Sequence, residues 1–225
     1  VNLLFTGAGK MSTKRVKTLF TVIMAALMAA VSNASFTLTE NQHLDVATEY
    51  YRGSLFDFST ADVYQGGCVW NISINDNAVL RVFEYRYGEY GLSIGRTRIK
   101  GNGQVIVYGG ATGAIVAEEN SIISIFGGAT GDIVAFGNSK IDIFGGEVPD
   151  IYVGNNSTLN IYADSFILGS GLSLDGNRLL GTGILSRQWF DGTSWTTQIS
   201  GNAETATILL IPDGIEIKLR ITNSA

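Results

Sequence analysis

Three glycine pairs, Gly109-Gly110, Gly127-Gly128 and Gly145-Gly146, recur every 18 residues through the middle of this chain. Eleven residues after the first glycine of each pair stands an asparagine: Asn120, Asn138 and Asn156. Apolar residues keep the same register, as in Ile115, Ile133 and Ile151, or Ile125, Ile143 and Ile161. A unit this short cannot enclose a core alone, so each must bury its apolar side against the next.

Each unit carries two stretches in which apolar and polar residues alternate, one on either side of an Asn-Ser pair. Alternation with a period of two marks half-buried strands, whereas a helix would space its apolar residues by three or four. The frame extends back to Asn102 and then, across a wider gap of 25 residues, to Asn77. These observations predict an all-β chain: a short parallel β-solenoid, a right-handed β-helix of 18-residue coils, with a β end-domain. Roughly five coils stacked at about 4.8 Å would make a rod on the order of 20–25 Å long. Asn77, Asn102, Asn120, Asn138 and Asn156 are expected to form a structural ladder at one corner. There asparagine tolerates the left-handed backbone of a sharp bend and its amide bonds its neighbours above and below.

The expected organisation has four parts: an upstream extension plus signal peptide (1–34), an N-terminal cap (35–60), coils (61–164) and a C-terminal β end-domain (165–225). In the first part Lys14, Arg15 and Lys17 precede an apolar run, Leu19 to Ala30, too short to span a bilayer. Ser32-Asn33-Ala34 then offers the small residues of a cleavage site, with Met11 as a plausible initiator. In the last part, strands are expected over Leu179–Ser186, Ser194–Ser200, Thr205–Ile211 and Ile215–Thr222, with a hairpin turn at Pro212-Asp213-Gly214.

Cleavage after Ala34 removes four of 15 basic residues and none of 20 acidic ones, leaving a net charge of −9. Nucleic acid and anionic membranes both need a basic footprint, so neither is an expected partner. Cys68 is the only cysteine, which excludes a disulfide framework and a cysteine metal site. The expected localisation is secreted, periplasmic or cell-surface.

Units of Gly-Gly, a short strand, Asn-Ser and an alternating strand back to Gly-Gly resemble exported bacterial β-solenoid repeat proteins of the PEP-CTERM-associated type. The coil half of the resemblance rests on Asn120-Ser121, Asn138-Ser139 and Asn156-Ser157 with their glycine pairs. The tail half rests on Leu180-Gly181-Thr182-Gly183-Ile184-Leu185 and Asp191-Gly192-Thr193-Ser194-Trp195, and the whole covers roughly residues 60–210. It implies architecture and export, since such proteins mostly have no assigned activity. The chain ends in Thr222-Asn223-Ser224-Ala225 without the sorting motif, so secretion is expected over retention by that route.

Function is expected to be non-catalytic, a structural protein or a binder of carbohydrate or another surface polymer, with self-association through exposed edges as a further outcome. Binding residues are sought among exposed aromatics, which stack on sugars and anchor interfaces. Tyr85, Arg86, Tyr87 and Tyr90 cluster in the inserted stretch of the longer coil, and Trp189 and Trp195 in the end-domain. Two other chemistries compete. Gly127 to Ala135 is similar to the nonapeptide of calcium-binding β-rolls, making Asp132 a weak calcium candidate, but Ala114 replaces it one coil earlier. A polysaccharide lyase or hydrolase would use Asp132 and Asp150 as paired carboxylates with a base from Arg96, Arg98 or Lys100. His43, the only histidine, has no nucleophile pattern beside it. No catalytic residue, cofactor or metal site is assigned.

Overall fold

The computed structural model describes residues 35–47, 49–64, 67–83, 94–189, 191–201, 206–212 and 220–221. Among them there is no helix. Through the first fourteen strands, successive strands go alternately to two sheets, so each pair of strands makes one rung. The first rungs are β1 (Ser35–Leu38) with β2 (His43–Val46), β3 (Glu49–Leu55) with β4 (Thr60–Val63), and β5 (Cys68–Ile74) with β6 (Val79–Val82). Next come β7 (Ile94–Ile99) with β8 (Gln104–Val107), and β9 (Ile115–Ala117) with β10 (Ile122–Ile125). Then follow β11 (Ile133–Ala135) with β12 (Lys140–Ile143), and β13 (Asp150–Val153) with β14 (Thr158–Ala163). Four strands intervene: β15 (Ser165–Leu168), β16 (Leu172–Asp175), β17 (Arg178–Gly181) and β18 (Gly183–Gln188). The last rung is β19 (Ser194–Ser200) with β20 (Thr207–Pro212), followed by β21 (Arg220–Ile221).

The first sheet has 11 strands in the order β1-β3-β5-β7-β9-β11-β13-β19-β18-β15-β21, and the second has 10, β16-β17-β20-β14-β12-β10-β8-β6-β4-β2. The rungs pair in parallel and in register, Ile115 beside Ile133 beside Ile151, and Ile123 beside Ile141 beside Leu159. The chain is thus all-β with two long, parallel-rich sheets, an arrangement consistent with a β-helix or solenoid. Inward columns such as Val107, Ile125, Ile143 and Ile161 are fully buried and form one continuous core between the sheets.

The glycine pairs are required by the turn from the second sheet back to the first. The second glycine of each pair is left-handed, with φ of 78° at Gly110, 82° at Gly128 and 83° at Gly146. A Cβ on Gly128 would sit 2.4 Å from the Gly110 carbonyl oxygen, so backbone from the rung before occupies that space. The other corner departs from expectation. Its left-handed residue is the one before the asparagine: Asp76, Gly101, Glu119, Gly137 and Asn155. The asparagine ladder itself is present in part. The Asn102 amide donates to Asn77 at 3.1 Å and that of Asn138 to Asn120 at 3.2 Å. Below each Asn, the small Ser121, Ser139 and Ser157 are fully buried where the strands converge.

Residues 35–60, expected to cap the repeats, pair in the same two ladders as the repeats do. The sequence hides this because their spacing differs: 17 residues from His43 to Thr60 and 19 from Asp62 to Arg81, against 18 from Asn120 to Asn138. The expected end-domain also divides. β19 and β20 return to parallel pairing with β13 and β14, while β15–β18 and β16–β17 form antiparallel pairs at the ends of the two sheets. The strand expected over Leu179–Ser186 breaks at Thr182 between left-handed Gly181 and Gly183, and its halves enter different sheets. The expected signal segment and the hairpin turn at Pro212-Asp213-Gly214 lie wholly or mostly outside the described residues.

Two glycine substitutions separate turn strain from steric blockage. Gly176 is also left-handed (φ 60°), yet a Cβ there would meet nothing within 4 Å. Gly176→Ala should therefore cost only the left-handed penalty, about 1–2 kcal/mol, and Gly128→Ala clearly more, because a carbonyl must also move. Urea unfolding of the two variants checks this; equal losses would remove the steric argument.

Candidate functional site

The outward positions of the second sheet form columns one rung apart. The most continuous is a line of rings just past, or at the end of, each strand: Tyr64, Phe83, Tyr108, Phe126, Phe144 and Tyr162. Neighbouring centroids are 4.9, 5.2, 5.4, 4.8 and 4.3 Å apart, and no pair is tilted by more than 18°. Strand spacing of about 4.8 Å dictates this, since equivalent residues on in-register parallel strands must stand beside one another. Each inner ring turns both faces to its neighbours and presents its edge outward, with Tyr108 and Phe126 close to half exposed.

Beside the rings runs a polar column, Asp45, Asp62, Arg81, Ser124, Asp142 and Asn160, interrupted by Ile106. Arg81 Nε donates to Asp62 at 2.7 Å, and the Asn160 amide donates to the buried Asp142 at 2.7 Å. Lys140 lies 2.9 Å from Asp142, and this hydrogen bond holds the lysine pKa above its ordinary value. The Tyr64 hydroxyl is likewise pushed up, by partial burial first and then by the charges of Asp62 and Asp45. At the start of the column His43, Asp45 and Asp62 bring ligand atoms within 4.8 Å of one another.

The residues singled out from sequence fall at several separate places, and some lie outside the described residues. Tyr85, Arg86, Tyr87 and Tyr90 lie outside the described residues. Trp189 and Trp195 both anchor to the turn before β13. Trp189 is buried and its indole donates to the Gly146 carbonyl at 3.1 Å, while Trp195 is half-buried and donates to that of Val148 at 3.3 Å. Thr197 also bonds Val148, so the last rung is tied to the turn before β13. Asp132 is exposed and belongs to no three-membered group of possible metal ligands among the described residues. Its neighbour in register, Asp150, accepts a 2.7 Å hydrogen bond from Ser200. Arg98 and Lys100 both face Glu118, at 2.6 and 3.5 Å.

No family model matches this chain. Neither curated proteins nor solved structures supply a match. Its own geometry therefore carries the functional reading. The ring column does not show as a cluster of aromatics in the sequence, because its members are far apart along the chain. The signal was nonetheless present: Tyr108, Phe126 and Phe144 each directly precede a glycine pair and share its 18-residue period.

Arg187 sits beneath these anchors, 2 % exposed, with its guanidinium carbon 4.4 Å from the centre of the Trp189 ring. Its guanidinium has no hydrogen-bond partner among the described residues, and burial lowers its pKa to about 10. A buried charge without a carboxylate is costly, so Arg187→Met should leave stability unchanged or raise it, despite the lost cation–π contact. A second substitution probes the rings. Phe126→Ala removes two ring contacts worth about 0.5–1.5 kcal/mol each and should cost roughly 1–3 kcal/mol by urea unfolding, besides lost burial.

Proposed function

We propose that this chain is an exported, non-catalytic structural or binding protein, built as a right-handed parallel β-solenoid of mostly 18-residue coils. Its working surface is the outward face of the second sheet, and its ligand a carbohydrate or other surface polymer. The observation that carries this reading is the unbroken column of six rings running beside a column of hydrogen-bonding side chains. A linear polymer lying along the stack would meet an apolar rail and, on every rung but that of Ile106, a polar group beside it. Ring edges give contact area at low entropic cost, because stacking already fixes each side chain.

The arrangement of the charged groups speaks for binding over catalysis. The enzymatic reading needs paired carboxylates with a base beside them. Here Asp150 is occupied by Ser200, and Arg98 and Lys100 share Glu118. Export rests on the signal-like segment 1–34 and on the resemblance carried by the repeats.

Affinity electrophoresis against a panel of neutral and acidic polysaccharides tests the reading. Retardation by at least one polymer is expected, weakened about tenfold or more when Tyr108 and Phe126 are both changed to Ala, with circular dichroism confirming the fold. Asp132→Ala should change nothing. Turnover of a polysaccharide that Asp132→Ala abolishes would replace this reading with the enzymatic one. Self-association without any retardation would leave a scaffold whose partner is its own kind.

A further inference from the structure

We propose that His43, Asp45 and Asp62 form a binding site for a divalent transition-metal ion of the zinc type, on the outward face of the second sheet. The site goes beyond the polymer-binding reading and does not depend on it. β2 places His43 and Asp45 on one side of the strand, two residues apart, and β4 sets Asp62 directly beside Asp45 in register. Their ligand atoms all lie within 4.8 Å of one another. Tetrahedral bonds of about 2.0–2.2 Å keep donor atoms roughly 3.4 Å apart. His43 Nε2 and Asp45 Oδ1 are already 3.1 Å apart, so rotation of these two exposed side chains toward Asp62 closes the set.

The surroundings orient these donors. Thr60 Oγ1 lies 2.6 Å from His43 Nδ1 and turns Nε2 toward the carboxylate. In the tautomer that donates its Nδ1 proton to Thr60, the Nε2 lone pair faces the Asp45 carboxylate at 3.1 Å and is free to take a cation there. A ligating imidazole is usually held by an acceptor on its far nitrogen, and Thr60 Oγ1 stands in that place here. Asp62 is the fixed member: its side chain is 9 % exposed, held by Arg81 at one oxygen and by the Tyr64 hydroxyl, 3.3 Å away, at the other. A carboxylate offers about four lone-pair sites, so both bonds leave room for a metal. Two carboxylates face one guanidinium there, a balance that favours a dication. The imidazole selects a zinc-type ion over calcium, which wants six or more oxygens. Asp45 and His43 are 65 % and 44 % exposed, leaving the fourth position open to water or a ligand.

Titration of the full chain with zinc chloride by calorimetry, and with cobalt chloride by visible absorption, tests the site. One saturable equivalent is expected, with the intense visible bands of four-coordinate cobalt. His43→Ala and Asp45→Asn, both at exposed positions, should each weaken binding at least about tenfold, and Thr60→Val about tenfold through the imidazole. Asp132→Asn should bind as the unaltered protein does. Absence of saturable binding, or undiminished affinity in a folded His43→Ala protein, would overturn the proposal.

Discussion

Everything in this molecule follows from parallel, in-register hydrogen bonding between one rung and the next. Each strand in the stack satisfies its backbone with the strands before and after it, at a spacing of about 4.8 Å. The core is thereby reduced to columns of like side chains, and Ile115, Ile133 and Ile151 need only fit their own kind. The cost is that corner residues are constrained as tightly as core residues. The glycine pairs are filled space as much as flexible joints, because the carbonyl of the preceding rung lies where a Cβ would go.

Periodicity also decides what the outside can do. A residue type repeated every rung becomes a line of identical groups within contact distance, whatever its chemistry. With asparagine the result is an amide ladder, with phenylalanine and tyrosine a stacked rail. Charged residues cannot be repeated so freely, since like charges at this spacing repel. The polar column accordingly pairs Asp62 with Arg81 and Asp142 with Asn160 and Lys140. Only at its first two rungs do Asp45 and Asp62 stand side by side, with His43 next to them.

How much of this could be read in the chain depends on how strictly it repeats. The strands at Ile115, Ile133 and Ile151 were legible because period-two alternation and an exact spacing agreed. Rungs built on Ser35–Val63 were not, since turns of a different length shift the period and neither Asn-Ser nor Gly-Gly marks them. The left-handed corner residue was misplaced by one, because Asp76, Gly101, Glu119 and Gly137 share a conformation and not a residue type. That the indole protons of Trp189 and Trp195 go to backbone carbonyls is set by three-dimensional packing alone. His43 and Asp62 belong to different rungs, so nothing local announces their meeting.

The antiparallel strands β15 to β18 close one end of the stack and leave its middle untouched. The rungs from β9 to β12 therefore pair only with rungs like themselves. In evolutionary terms, length is then a free variable. Duplicating or deleting one whole period there would splice a column onto an identical column, with no new turn or contact to invent. A lineage with this architecture can lengthen or shorten its rail in single steps, each a folded protein, while its ends stay as they are.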